Sequence, residues 1–208
     1  MSAKDEIFNR IRSAGPIATP DIPREYRFGT DASRADVIAE MEQGLIDYTA
    51  VVKRVGPDGI ADAISEFLED ARSVVVPAGL DKTWVEAAGR EGREVRVDEP
   101  ALSKTELDHT DAVVTASRVA VANSGTIMLD GEPDQGRRAI SLVPDTHVVV
   151  LEADDIKATL PEAVAVLGEH PGRPTTWIAG PSATSDIELV RVDGVHGPRN
   201  LRVIIVER

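Results

Sequence analysis

Ser73-Val74-Val75-Val76 is a short, uninterrupted apolar run, too brief for a helix and without polar alternation. A strand of that kind is covered on both faces, as in a parallel sheet flanked by helices. Working outward, further strands are expected at Glu94–Val97, Ala112–Thr115, Thr126–Leu129, 147–151, 175–179 and 201–206, with an earlier one over 48–55. Between them lie helical patterns. Ser33-Arg34-Ala35-Asp36 resembles a capping box ahead of Ile38, Met41 and Leu45. Pro57 starts a helix carrying Ile60, Ile64, Phe67 and Leu68, and others are expected at 81–89, 102–108 and 154–167. In the last of these Ile156, Leu160, Val164 and Leu167 form the inward stripe, with Pro161 as a point of interruption and Gly168 as a stop. Apolar strands alternating with amphipathic helices predict an α/β layered fold with a largely parallel sheet.

The N-terminus reads differently. Residues 3–13 form a short amphipathic helix with Ile7, Phe8 and Ile11 on one stripe, followed by an extended linker at 14–30 that contains Pro16, Pro20 and Pro23. So short a helix needs a docking surface. It is either a partner-binding arm or, as the simpler expectation, folds back on its own domain. The organisation expected is an N-terminal helix and proline-rich linker (1–30) before one α/β domain (31–208).

Composition narrows the function. The 208 residues are 42% hydrophobic and 28% charged, an ordinary globular mixture that buries roughly 70% of its unfolded surface. With 36 acidic against 23 basic side chains the net charge is −13, which opposes binding to a phosphate backbone or an anionic membrane. Seven aromatic residues leave few for base stacking. Cysteine is absent, which removes disulfides, thiolate nucleophiles and cysteine-ligated zinc or iron–sulfur centres from this chain. No apolar run spans a bilayer and the first residues lack a signal-peptide core, so a cytoplasmic location is expected.

Ligands of open α/β sheets bind beyond the carboxyl ends of strands. Asn123-Ser124-Gly125-Thr126 therefore reads either as a small-residue binding loop or as a tight turn between strands, and on spacing alone the turn leads. Arg137 and Arg138 either grip a carboxylate or phosphate, or pair with acids of their own loop. Gly180-Pro181-Ser182-Ala183-Thr184-Ser185-Asp186 offers an anion cradle or a helix cap. In Gly194-Val195-His196-Gly197-Pro198 the flanking glycines let His196 face a cleft as base, donor or loop clamp, of which the clamp leads. A serine triad lacks its Gly-x-Ser-x-Gly elbow. His109, His147, His170 and His196 lie too far apart in sequence for a metal motif, His147 falls inside a strand, and no metal is expected. No dinucleotide fingerprint or P-loop is present.

In order and spacing, these segments resemble the LUD-domain family: Ala122-Asn123-Ser124-Gly125-Thr126, then Arg138-Ala139-Ile140-Ser141-Leu142-Val143-Pro144 leading into 147–151, then Gly180-Pro181-Ser182 with Ser185-Asp186-Ile187-Glu188, and Gly194-Val195-His196-Gly197-Pro198. The resemblance implies a Rossmann-like three-layer fold of the superfamily that includes ribose-5-phosphate isomerase, glucosamine-6-phosphate deaminase and CoA transferases. It also implies a part in oxidising L-lactate to pyruvate beside iron–sulfur partner subunits, with no cofactor in this chain. One departure stands out. Relatives commonly carry an acid where this chain has Asn123, so no carboxylate nucleophile or base is available there. Under this reading Asn123, Ser124, Gly125, Thr126, Arg137, Arg138, Ser182, Gly194 and Gly197 bind a small carboxylate or other anion, with His196 and Asp186 as catalytic candidates. A stand-alone enzyme or binding protein for a phosphosugar or acyl-CoA, and a purely structural subunit, are the alternatives.

Overall fold

The structure, a computed structural model, describes residues 2–15, 20–184, 192–193 and 196–208, with only the backbone pairing of residues 183–184 and 192–193. Helix α1 (Ala3–Ser13) is closed by a capping box in which the Ser2 hydroxyl accepts the Asp5 N–H and the Asp5 carboxylate receives the Ser2 N–H. It buries none of its residues. The expectation that it folds back on its own domain is corrected here. Residues 20–28 run extended and exposed, with Pro20 and Pro23 stiffening them.

Helix α2 (Arg34–Asp47) has the expected capping box, Ser33 with Asp36, and buries Val37, Ile38, Met41 and Leu45. Strand β1 (Val51–Val55) starts three residues later than its apolar pattern, because Tyr48 closes α2 and Thr49 turns the chain at φ 69°. One 3-10 turn at Pro57 leads into α3 (Ile60–Phe67), after which β2 (Ser73–Val76), α4 (Lys82–Ala88), β3 (Glu94–Val97), α5 (Lys104–Asp108) and β4 (Ala112–Thr115) follow as the sequence predicts. Two strands of the second sheet had no readable pattern of their own. These are β5 (Val119–Val121), which pairs antiparallel with β6 (Thr126–Leu129), and, after β7 (Thr146–Glu152), β8 (Ile156–Lys157). The helix expected over 154–167 is corrected to α6 (Leu160–Leu167). Pro161 lies in its first turn and so starts the helix, while Ile156 pairs with Ala120 as strand. The chain closes with β9 (Thr176–Ile178), the short antiparallel pair β10 (Ala183–Thr184) and β11 (Val192–Asp193), and β12 (Asn200–Val206).

Six strands make a wholly parallel sheet in the order β1-β12-β7-β4-β2-β3. Val74 and Val76, with Val148, Val150, Ile204 and Val206, face α3 and α4. Val149, Leu151, Val203 and Ile205 point the opposite way, into α2 and a second sheet of order β8-β5-β6-β9. Period-two alternation thus feeds two separate cores from the same strands. Each fully buried valine of β2 contributes about 1.5–3 kcal/mol relative to exposure. No helix among the described residues is long and apolar enough to cross a membrane.

Candidate functional site

Strand β2 runs on through α4 to β3 on one side, while β4 lies on its other side. Such a reversal opens a crevice at the carboxyl ends of the strands. A cleft of about 600 Å³ lies there, walled by Pro77 and Ala78 after β2, Asp98 and Glu99 after β3, and the loop over 130–138. Backbone approach fixes the wall. The Gly79 N–H donates to the Pro133 carbonyl at 2.9 Å, and a Cβ on Gly79 would stand 2.4 Å from that of Pro133. Gly136 sits at φ +68°, where a Cβ would meet Pro77 at 2.9 Å and Ile140 at 2.7 Å. Only glycine fits either place without displacing backbone or core.

The two arginines of this loop have different tasks. Arg137 donates to Asp98 from Nε at 2.6 Å and from Nη2 at 3.0 Å, and to the Leu102 carbonyl at 2.6 Å. Its acid comes from the loop after β3, not from its own loop as the sequence reading allowed. Burial pushes the Asp98 carboxyl up, but Arg137 and the Leu102 N–H more than offset it and hold it below the usual carboxylate range. Arg138 is exposed, lines the cleft and has no acidic partner among the described residues.

Deeper in the cleft sit groups that sequence reasoning missed. Asp130, at the end of β6, is buried and accepts from Arg173 Nη1 at 3.1 Å, with Arg118 Nε at 3.8 Å. Arg173 also donates to Glu132 at 2.5 Å, and the Asp130 N–H donates to Gln135 Oε1 at 2.8 Å. The other Asp130 oxygen, Oδ1, is buried without a hydrogen bond. Burial, then the neighbouring Glu132 charge, pushes the Asp134 carboxyl up. An acid closing an apolar strand was the one available signal for Asp130. Arg118 and Arg173 reach it from distant segments.

The remaining candidates lie elsewhere. Asn123-Ser124-Gly125-Thr126 is the turn joining β5 to β6, with Gly125 at φ +57°. A Cβ on Gly125 would stand 2.8 Å from the Gly44 carbonyl carbon of α2, so this glycine serves the docking of that helix. Ser124 and Thr126 hydroxyls bond each other at 2.9 Å, and Asn123 faces solvent. Ser182, His196 and Gly197 line a recess of about 280 Å³ at the amino ends of β7 and β12. The His196 backbone N–H donates to Ser182 Oγ at 3.0 Å and the Ser182 N–H to the Pro198 carbonyl at 2.8 Å, which ties two loops together. A Cβ on Gly197 would make only ordinary contacts at 3.6 Å. Asp186 and Gly194 lie outside the described residues. The structure therefore does not bring the arginine pair and His196 into one cavity: the turn carrying Ser141 separates them.

His147 borders that recess from beneath. It is fully buried, with Nε2 2.8 Å from the Thr115 hydroxyl and Nδ1 without a partner among the described residues, and burial pushes its pKa down to about 3. The ring is neutral at physiological pH. Among the described residues no cluster of three or more His, Cys, Asp or Glu side chains is arranged to hold a metal ion.

Cleft, recess and the β5–β6 turn all fall largely within residues 78–206, the stretch matched by the sequence model of the LUD domain. The chain belongs to the LUD domain family. Over 206 residues this LUD protein is 44% identical to a Deinococcus radiodurans protein named lactate utilization protein C, covering 98% of this chain and 95% of that one. A Bacillus subtilis protein of the same name is 24% identical over 95% of this chain and 90% of its own length. The crystal structure of a DUF162 family protein from Deinococcus radiodurans matches with a TM-score of 0.74 at 42% identity, covering 85% of this chain and 99% of that one. Family and layered α/β fold agree with the resemblance read from the short motifs.

Proposed function

We propose that this protein serves lactate utilization as a subunit that binds a small carboxylate and leaves electron transfer to iron–sulfur partners. One observation carries the reading: Arg138 presents a guanidinium with no acid partner among the described residues in a cleft at the carboxyl ends of the parallel strands. An arginine in that state takes a carboxylate with two parallel hydrogen bonds. Arg137 supports it indirectly, since its bonds to Asp98 and Leu102 hold the wall on which the ligand rests. The name carried by the relatives supplies the substrate, L-lactate or its product pyruvate.

Converting L-lactate to pyruvate removes two electrons and two protons. This chain has no cysteine to hold an iron–sulfur cluster. The electrons pass to partner subunits, and the cleft has space for more than a three-carbon acid. His196 and Ser182 belong to the other recess and act there as a loop clamp.

Thermal unfolding with L-lactate, pyruvate, sugar phosphates and CoA tests the proposal. A ligand at 100 times its dissociation constant stabilises by about 2.7 kcal/mol. Lactate or pyruvate is expected to stabilise the native protein, alone or with its co-purified iron–sulfur partners. Arg138→Ala, a change at an exposed position, is expected to weaken binding roughly tenfold or more and so to remove about half or more of that stabilisation at the same ligand concentration. Silence to both acids under both conditions overturns the reading. A response confined to sugar phosphate or CoA replaces it with a phosphosugar or acyl-CoA function.

A further inference from the structure

Helix α6 is apolar around most of its circumference. Ala163, Val166 and Leu167 cover Val119, Val121 and Met128 of the second sheet. Beside that packed face, about a quarter turn round the helix, lie Leu160 and Val164, one turn apart, which are 41% and 47% exposed. A helix apolar all round is ordinarily buried all round. Helix α1 is in the complementary condition: Ile7, Phe8 and Ile11 are 58%, 46% and 63% exposed, and eleven residues are too few to hold a helix in water unaided. One chain thus carries two bare stripes, each built on an i, i+4 apolar pair, Ile7 with Ile11 and Leu160 with Val164.

The tether indicates which copy supplies the cover. It meets the body at Gly29, beside Glu162 of α6, and residues 20–28 are exposed, with Pro20 and Pro23 stiffening them against a sharp return. A spacer of that kind carries α1 away from its own α6. Charge also matches. Residues 1–30 hold five basic and four acidic side chains, whereas residues 31–208 hold 18 basic and 32 acidic ones, so a faintly positive arm meets a strongly negative body.

We propose that α1 docks on the Leu160–Val164 face of α6 in a second copy of this chain, the two arms being exchanged in a two-fold dimer. Ile7, Phe8 and Ile11 supply the anchors of a helix laid on an apolar face. Reciprocal exchange places one arm and one receiving face on each side, so every contact is made twice and the assembly closes as a two-fold dimer. This inference is independent of the carboxylate cleft.

The absence of cysteine makes the test clean. Full-length chains carrying Ile11→Cys and Val164→Cys on separate copies are mixed and oxidised, and a disulfide-linked pair is expected. Sedimentation of the unsubstituted chain is expected to give twice the monomer mass. Ile7→Asp with Ile11→Asp touches nothing buried, and is expected to return the protein to a monomer; Val164→Asp is expected to do the same from the receiving side. A full chain that stays monomeric at every concentration overturns the proposal. So does a dimer indifferent to the aspartate substitutions, or a chain carrying both cysteines that closes its disulfide within a monomer.

Discussion

At the scale of single residues, two buried ionisable groups set measurable behaviour. Asp98 keeps its carboxylate in a mostly buried position because Arg137 holds it. Arg137→Ala is expected to cost about 1–2 kcal/mol at pH 7, a discounted value because the guanidinium is partly solvated. The folded carboxyl titrates below its unfolded value, so its contribution is present at neutral pH and is lost as pH falls. The gap between parent and variant in urea midpoint should therefore begin to narrow as pH falls past the ordinary carboxylate value of about 4, and close only once pH drops through the lower folded value. His147 has its folded pKa pushed down to about 3 by burial, so it stays neutral while an unfolded chain would protonate near 6.5. Stability is then complete above that unfolded value and declines as pH drops toward 3. His147→Gln, which can still meet the Thr115 hydroxyl, is expected to lower the slope between pH 6 and 4 by up to about 1.4 kcal/mol per unit, read from urea denaturation.

At the scale of elements, the strands and caps were legible because their signals are local. Ser73–Val76, Glu94–Val97, Ala112–Thr115 and Thr126–Leu129 appear with the bounds their apolar runs indicated. Ser33 and Asp36 close the first turn of α2 as their spacing required. Ser33→Ala should cost about 1 kcal/mol by chemical denaturation, since it strips the hydroxyl that the Asp36 N–H donates to. Elements whose stability comes from neighbours were harder to read. Strand β5 is three residues long and β8 two, too short to show a period. The stripe Ile156, Leu160, Val164 and Leu167 misled for a physical reason: Ile156 is strand, and α6 is apolar over so wide an arc that periodicity did not reveal that Ala163, Val166 and Leu167, rather than Leu160 and Val164, face inward.

At the scale of the whole molecule, the net charge of −13 dominates. Like charges repel across the compact body, and added salt screens them over roughly 8–10 Å. The melting temperature is expected to rise between low and physiological ionic strength, measured by calorimetry with a salt that does not bind specifically. The fold is tolerant of this charge because its two cores are aliphatic and are fed from both faces of one sheet. Site assembly is also a property of this scale. Asp98, Asp130, Arg138 and Arg173 come from three separate loops and meet only because β2, β3 and β6 end on the same side.

The residue sequence by itself determined the α/β class, the parallel strands, the caps, the exclusion of thiol chemistry and the LUD resemblance, because each rests on composition or on contacts within a few positions. Only the tertiary structure decided that Arg137 is tied to Asp98, that Arg138 has no acid partner among the described residues, that Gly125 serves helix packing, and that His196 and the arginines stand in different cavities. Those outcomes depend on which strand ends lie side by side, and a chain's local pattern carries no record of that.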